Sequence, residues 1–90
     1  MTSRIFVTVA VVNFENVKSE SFSLPVEKND FYSVALETRW YVQDLARSFE
    51  NDGFQYATIT ASVNGSVYAG LITDYLDLEQ YENFFSDVMN

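Results

Sequence analysis

The chain has neither cysteine nor histidine among its 90 residues. Lacking cysteine, it can build no disulfide framework and no thiolate metal site. Lacking both, it cannot form a standard Ser-His-Asp triad or a Cys-His nucleophile. The three glycines, Gly53, Gly65 and Gly70, are scattered and form no phosphate-cradling loop. Zinc would have to be held by carboxylates alone, an uncommon donor set. The stretch "DYLDLE" (Asp74, Asp77, Glu79) offers oxygen ligands to a hard cation but lacks the spacing of a calcium loop. A carboxylate pair working as acid and base needs a cleft that pushes two pKa values apart, and a domain this small seldom has one. The expectation is a protein without catalysis, cofactor or metal.

Long apolar runs are missing too. None approaches the roughly 20 residues that a membrane helix needs. The opening "MTSRIFVTVAVVNF" has one base before an apolar run, but no small-residue cleavage site follows it. A soluble protein of the cytoplasm, with no membrane partner, is the expected class. Ninety residues suit one domain spanning 1–90.

The last absence is of positive charge. Residues 1–47 hold six acids and all five bases, a net of −1. Residues 48–90 hold seven acids (Glu50, Asp52, Asp74, Asp77, Glu79, Glu82, Asp87) and no base, a net of −7. Direct binding to nucleic acid is excluded on this count, because phosphate recognition needs Lys and Arg. A basic protein surface is the complementary partner.

What is present reads as alternating strands and helices. "RIFVTVAVVNF" is β-branched and aromatic, a strand over about 4–13 with apolar residues on both faces. That pattern suits a central strand, or a sheet whose second face is also covered. "KSESFSL" alternates and stops at Pro25, the only proline, as an edge strand would. Asp30 opens a long helix over about 30–51, with Phe31, Val34, Ala35, Thr38, Val42, Leu45 and Phe49 as its core stripe. Gly53 suits the cap that closes it. "FQYATITASV", Asn64-Gly65 and "SVYAGLITD" form a hairpin around a type I′ turn, which pairs Val63 with Ser66 and Ile59 with Gly70. Asp77 caps a terminal helix, with Gln80 at the reciprocal capping-box position and Leu78, Tyr81, Phe84, Phe85 and Val88 along its inner side. The result is an α+β domain: two antiparallel β-hairpins with a long helix between them and a C-terminal helix, β-β-α-β-β-α.

Two surfaces are candidates for function. The first is acidic: Glu50, Asp52, Asp74, Asp77, Glu79, Glu82 and Asp87. The five acids from 74 to 87 carry about one charge per ~4 Å if the whole stretch is helical, near the ~3.4 Å of a single nucleic-acid strand and sparser than the ~1.7 Å of a duplex. A working mimic would therefore recruit Glu50 and Asp52, or a second subunit. The plain alternative is a solvated helix face whose acids favour the positive end of the dipole. The second surface lies on the long helix, where Tyr32, Leu36 and Trp40 recur at i, i+4 and i+8 opposite the core stripe, with Gln43 and Arg47 continuing the line. Tyr, Trp and Arg are enriched at binding hot spots. If uncovered, this face supports an interaction module or a homodimer.

The N-terminal third, "IFVTVAVVNFEN", "SFSLP" and the run from Asp30, resembles the opening module of ArdA-type antirestriction proteins. The short, acidic, catalytically bare α+β character is similar to that of anti-CRISPR proteins. Both resemblances imply a phage or mobile-element inhibitor that occupies the nucleic-acid-binding surface of a host defence complex, with an anti-CRISPR type of target favoured. The rival expectation is a non-catalytic interaction or dimeric assembly module without mimicry.

Overall fold

The computed structural model describes residues 3–14, 16–28, 30–49 and 54–89. The described chain runs β1 (Arg4–Val12), β2 (Val17–Pro25), a 3-10 turn at Val26–Lys28, α1 (Phe31–Arg47), β3 (Tyr56–Val63), β4 (Ser66–Ile72) and α2 (Leu78–Val88). The four strands form one antiparallel sheet in the order β2-β1-β3-β4. Both helices pack on the same side of it.

This order follows from which strands can be fully buried. Ile5, Val7, Val9 and Val11 of β1 and Ala57, Ile59 and Ala61 of β3 point at the helices and are buried. No charge interrupts either set, so β1 and β3 take the middle. At the same positions β2 carries Lys18 and Glu20, both exposed, and β2 lies at the edge. The opposite face of β1 is left open by the described residues: Phe6 is 57% exposed. Its apolar character on both sides thus reflects a central position and an open second face.

The second hairpin has the expected register, with Val63 opposite Ser66, Ala61 opposite Tyr68, Ile59 opposite Gly70 and Ala57 opposite Ile72. Asn64 (φ 51°) and Gly65 (φ 83°) supply the left-handed pair that a type I′ turn requires.

The Asp30 carboxylate accepts from the Ser33 amide at 2.8 Å, capping α1. That bond holds its carboxyl below the usual carboxylate range. The core stripe of α1 is buried from Val34 to Phe49. Phe31 departs from expectation: it is the first residue of the helix and stands 37% exposed, outside the core cluster. The helix also ends earlier than the periodicity suggests, at Arg47. The Ser48 hydroxyl donates to the Leu45 carbonyl at 2.6 Å, and the Lys18 ammonium donates to the Ser48 carbonyl and hydroxyl at 3.1 and 2.9 Å. A cation there suits the negative end of the helix dipole. The same ammonium lies 4.9 Å above the Phe49 ring. The cap expected at Gly53 lies outside the described residues. No described helix is long and apolar enough to cross a membrane.

Gly70 faces α2 because nothing larger fits. A Cβ there would lie 2.5 Å from Cδ1 and 2.8 Å from Cε1 of the Phe84 ring. Gly70→Ala is expected to cost about 1–3 kcal/mol in urea unfolding, the usual penalty for overpacking. With Phe84→Leu already in place, the added cost should shrink by at least ~0.5 kcal/mol. Strict additivity would show that Phe84 is not the group Gly70 makes room for.

Candidate functional site

The acidic surface is built on α2 and the turn before it. α2 is anchored by Tyr81 and Phe85, both fully buried, and by Val88. Phe84 is half-buried and meets Phe85 edge-on, with ring centroids 4.9 Å apart. The Tyr81 hydroxyl donates to the Tyr75 carbonyl at 3.0 Å, tying the helix to the loop that carries Asp74 and Asp77.

That loop is cross-braced by Gln80. Its side-chain oxygen accepts from the Thr73 amide at 2.9 Å and the Asp74 amide at 3.3 Å, and its amide donates to the Thr73 hydroxyl at 3.1 Å. The expected capping box is therefore corrected. Asp77 does cap α2, by accepting from the Glu79 amide at 3.1 Å, but Gln80 reaches back to β4 instead of to the cap. The Asp77 amide is already satisfied by the Asp74 carbonyl at 3.1 Å, which leaves Gln80 free to brace the strand end.

The acids divide by role. Asp74 accepts from the Leu76 amide at 3.0 Å and Asp77 from Glu79, so each spends a carboxylate oxygen on its own backbone. Both precede the first turn of α2, so the uniform helical spacing expected for the five acids does not hold. Glu79 and Asp87 are exposed, whereas Glu82 is half-buried. At ~100° per residue Glu82 falls on the flank of the buried stripe, about 60° from Glu79 and 140° from Asp87. Glu50 and Asp52 lie outside the described residues.

The aromatic face of α1 is uncovered. Trp40 is 58% exposed, and Tyr32, Leu36 and Arg47 are exposed beside it. Trp40 rests edge-on against Tyr41, with centroids 5.1 Å apart, and Tyr41 stacks on Phe22 of β2 at 4.4 Å. Trp40 is thus held from beneath while its outer face stays open. Arg39 turns the other way and reaches the Leu76 carbonyl at 3.5 Å, bringing α1 beside the acidic turn. One helical layer therefore carries both candidate surfaces.

A cavity of about 240 Å³ opens between the hairpin turn and the end of α2, lined by Val26, Val63, Asn64, Ser66, Tyr68, Val88 and Met89. No acid lines it, so it does not house a carboxylate pair. Among the described residues no three acids gather as a metal site would require. Sequence reasoning missed Lys18 as the lock on α1 and Gln80 as the brace of the acidic turn. Neither contact leaves a local spacing signal: Lys18 and Ser48 are 30 residues apart. Comparisons with family models, curated proteins and solved structures find no match to the chain.

Burial raises the Tyr81 ionisation well above the ordinary tyrosine value. The charge of Asp74 and the neighbouring Tyr75 add to this, and Arg39 opposes it. The folded state thus keeps a proton that the unfolded chain loses near pH ~10. Fewer protons on the unfolded state mean that stability falls as pH rises through that range. Tyr81→Phe is expected to cost about 1 kcal/mol at neutral pH and to flatten the alkaline loss, as measured by urea unfolding between pH 8 and 11. An unchanged alkaline slope would place its origin elsewhere.

Proposed function

We propose that this protein is a non-catalytic inhibitor that occupies a basic nucleic-acid-binding surface of a host defence complex, as an anti-CRISPR protein would. The carrying observation is the segregation of charge. From Phe54 to Met89 the described chain has five acids and no base, and these sit on α2 and the turn that leads into it. Gln80 and Tyr81 fix that turn before any partner arrives, which limits the ordering cost of binding. Complementary charge speeds encounter with a Lys/Arg-lined channel and makes binding salt-sensitive. The exposed Trp40 and Tyr32 lie in the same layer and supply apolar contact area that charge alone lacks. Nucleic acid itself is repelled, so the partner is protein. The resemblance to antirestriction and anti-CRISPR proteins agrees in kind with this reading, which places the protein in the cytoplasm of the host cell.

A second reading rests on a different observation, the uncovered Tyr32, Leu36 and Trp40 face. It makes the protein an interaction module whose partner is held through α1, with the acids serving only solubility and capping.

One capture experiment separates the two. Tagged protein is incubated with lysates of bacteria expressing different nucleic-acid-targeting defence complexes, at low and high salt. The first reading expects such a complex to be retained at low salt and released at high salt. Glu79→Lys, Glu82→Lys and Asp87→Lys together should abolish retention with an unchanged circular dichroism spectrum. Asp74 and Asp77 are left intact because they cap the backbone. Full retention by the triple variant, with loss on Trp40→Ala, would sink the acidic reading and establish the second.

A further inference from the structure

We propose that the open face of the β-sheet is a homodimer interface, with a second copy of the chain seated on it sheet to sheet. The inference is independent of how the acidic surface is used.

The face is chemically unlike the rest of the molecule. Phe6, Val67 and Leu71 stand 57%, 69% and 59% exposed on it. The cross-strand partners between them are Ser, Thr and Ala. Arg4 is its single charge among the described residues, and its guanidinium is spent on the Ser23 hydroxyl and carbonyl at 3.0–3.2 Å. In a chain of net charge −8 this is the surface that two copies can bring together without repulsion. The helical layer is the opposite case. Glu37 and Asp44 are exposed on α1, and the α2 acids lie in the same layer. Pairing through Trp40 would bring these charges toward their own copies, so the sheet face is the favoured site of self-association.

The size is sufficient. Four strands ~4.8 Å apart and about eight residues long, at ~3.4 Å each, cover roughly 500 Å² per protomer and about 1,000 Å² per pair. Side-chain relief adds to this, and specific interfaces begin near ~1,000 Å².

The register supplies a fit. Thr8 pairs with Thr60, and Thr60 with Ala69, forming a row of small residues across the middle of the face. Phe6 and Val67 lie in the row on one side, Ala10 and Leu71 in the row on the other. A two-fold axis along the middle row exchanges the outer rows. Phe6 then seats over Ala10 of the second copy, and Val67 over Leu71, each contact occurring twice as an isologous interface demands. The strands of the two sheets run nearly aligned, as in β-sandwiches.

Thr60 lies on the axis and is exposed in the single chain, which makes it the test position. Size-exclusion chromatography with light scattering should give twice the 10.3 kDa protomer mass for wild type. Thr60→Glu and Thr60→Lys each place like charges face to face, and each should weaken the dimer by at least about tenfold. An equimolar mixture of the two variants should restore it at low salt, which a folding defect would not allow. Trp40→Ala should stay dimeric. A wild type that remains monomeric at hundreds of micromolar overturns the proposal. So does a Thr60→Glu dimer as tight as wild type.

Discussion

Ile5, Val7, Val9 and Val11 fill one face of β1 and are at most 1% exposed beneath the two helices. Each fully buried aliphatic of this kind contributes about 1.5–3 kcal/mol. Four of them together match much of the ~5–15 kcal/mol by which a domain is stable at all. No other strand among the described residues buries so long a row of side chains. β2 and β3 pair with β1, α1 packs over it, β4 is reached through β3, and α2 lies against α1 and β4. The strict alternation in β1 leaves no freedom to slip, since a shift of one residue would turn all four side chains to the open face.

The positions of the acids are a consequence of that packing. Tyr81, Phe85 and Val88 must enter the core that α2 shares with α1 and the sheet, and this fixes the rotation of α2. Glu79 and Asp87 then point outward, and Glu82 is drawn to the flank. Gln80 and the Tyr81 hydroxyl convert the rotation into a fixed loop, because both bond to the 73–75 backbone. The charge of this layer is preorganised by the core rather than arranged by the acids themselves.

The elements and the second hairpin's register were legible in the sequence because their signals are local. Alternation marks β1, three- and four-residue spacing marks α1, and Asn64-Gly65 marks the turn and hence every pair in the ladder. The α+β order was legible for the same reason. The insertion of β3 beside β1 was not spelled out by any neighbouring residues, since it depends on which strands can be buried without a charge. The end of α1 and the role of Gln80 escaped for a related reason. Lys18 and Thr73 act on them from other parts of the chain, and a side chain that could cap its own helix instead accepts from the amides just past the end of β4. The exposure of Tyr32, Leu36 and Trp40 was half legible: their spacing placed them opposite the core, but only the packed helices leave that side open.

The charge pattern bears on how such a protein could act. Glu79 and Asp87 rise only ~12 Å apart along α2, and two or three carboxylates over that distance are fewer than the phosphates of either strand of a duplex. Acid density alone therefore gives a weak mimic. A sheet-to-sheet dimer does not lengthen the acidic track, because it sends the two helical layers to opposite outer faces. It would instead present two separate acidic sites, one on each helical layer, and the gain would come from effective concentration when a target offers two basic surfaces within reach. A target with a single basic channel would engage one protomer, and there the rings must carry what the carboxylates cannot. The division between an uncharged sheet face and an acidic helical layer thus favours short, aromatic-assisted contacts over continuous imitation of a nucleic-acid backbone.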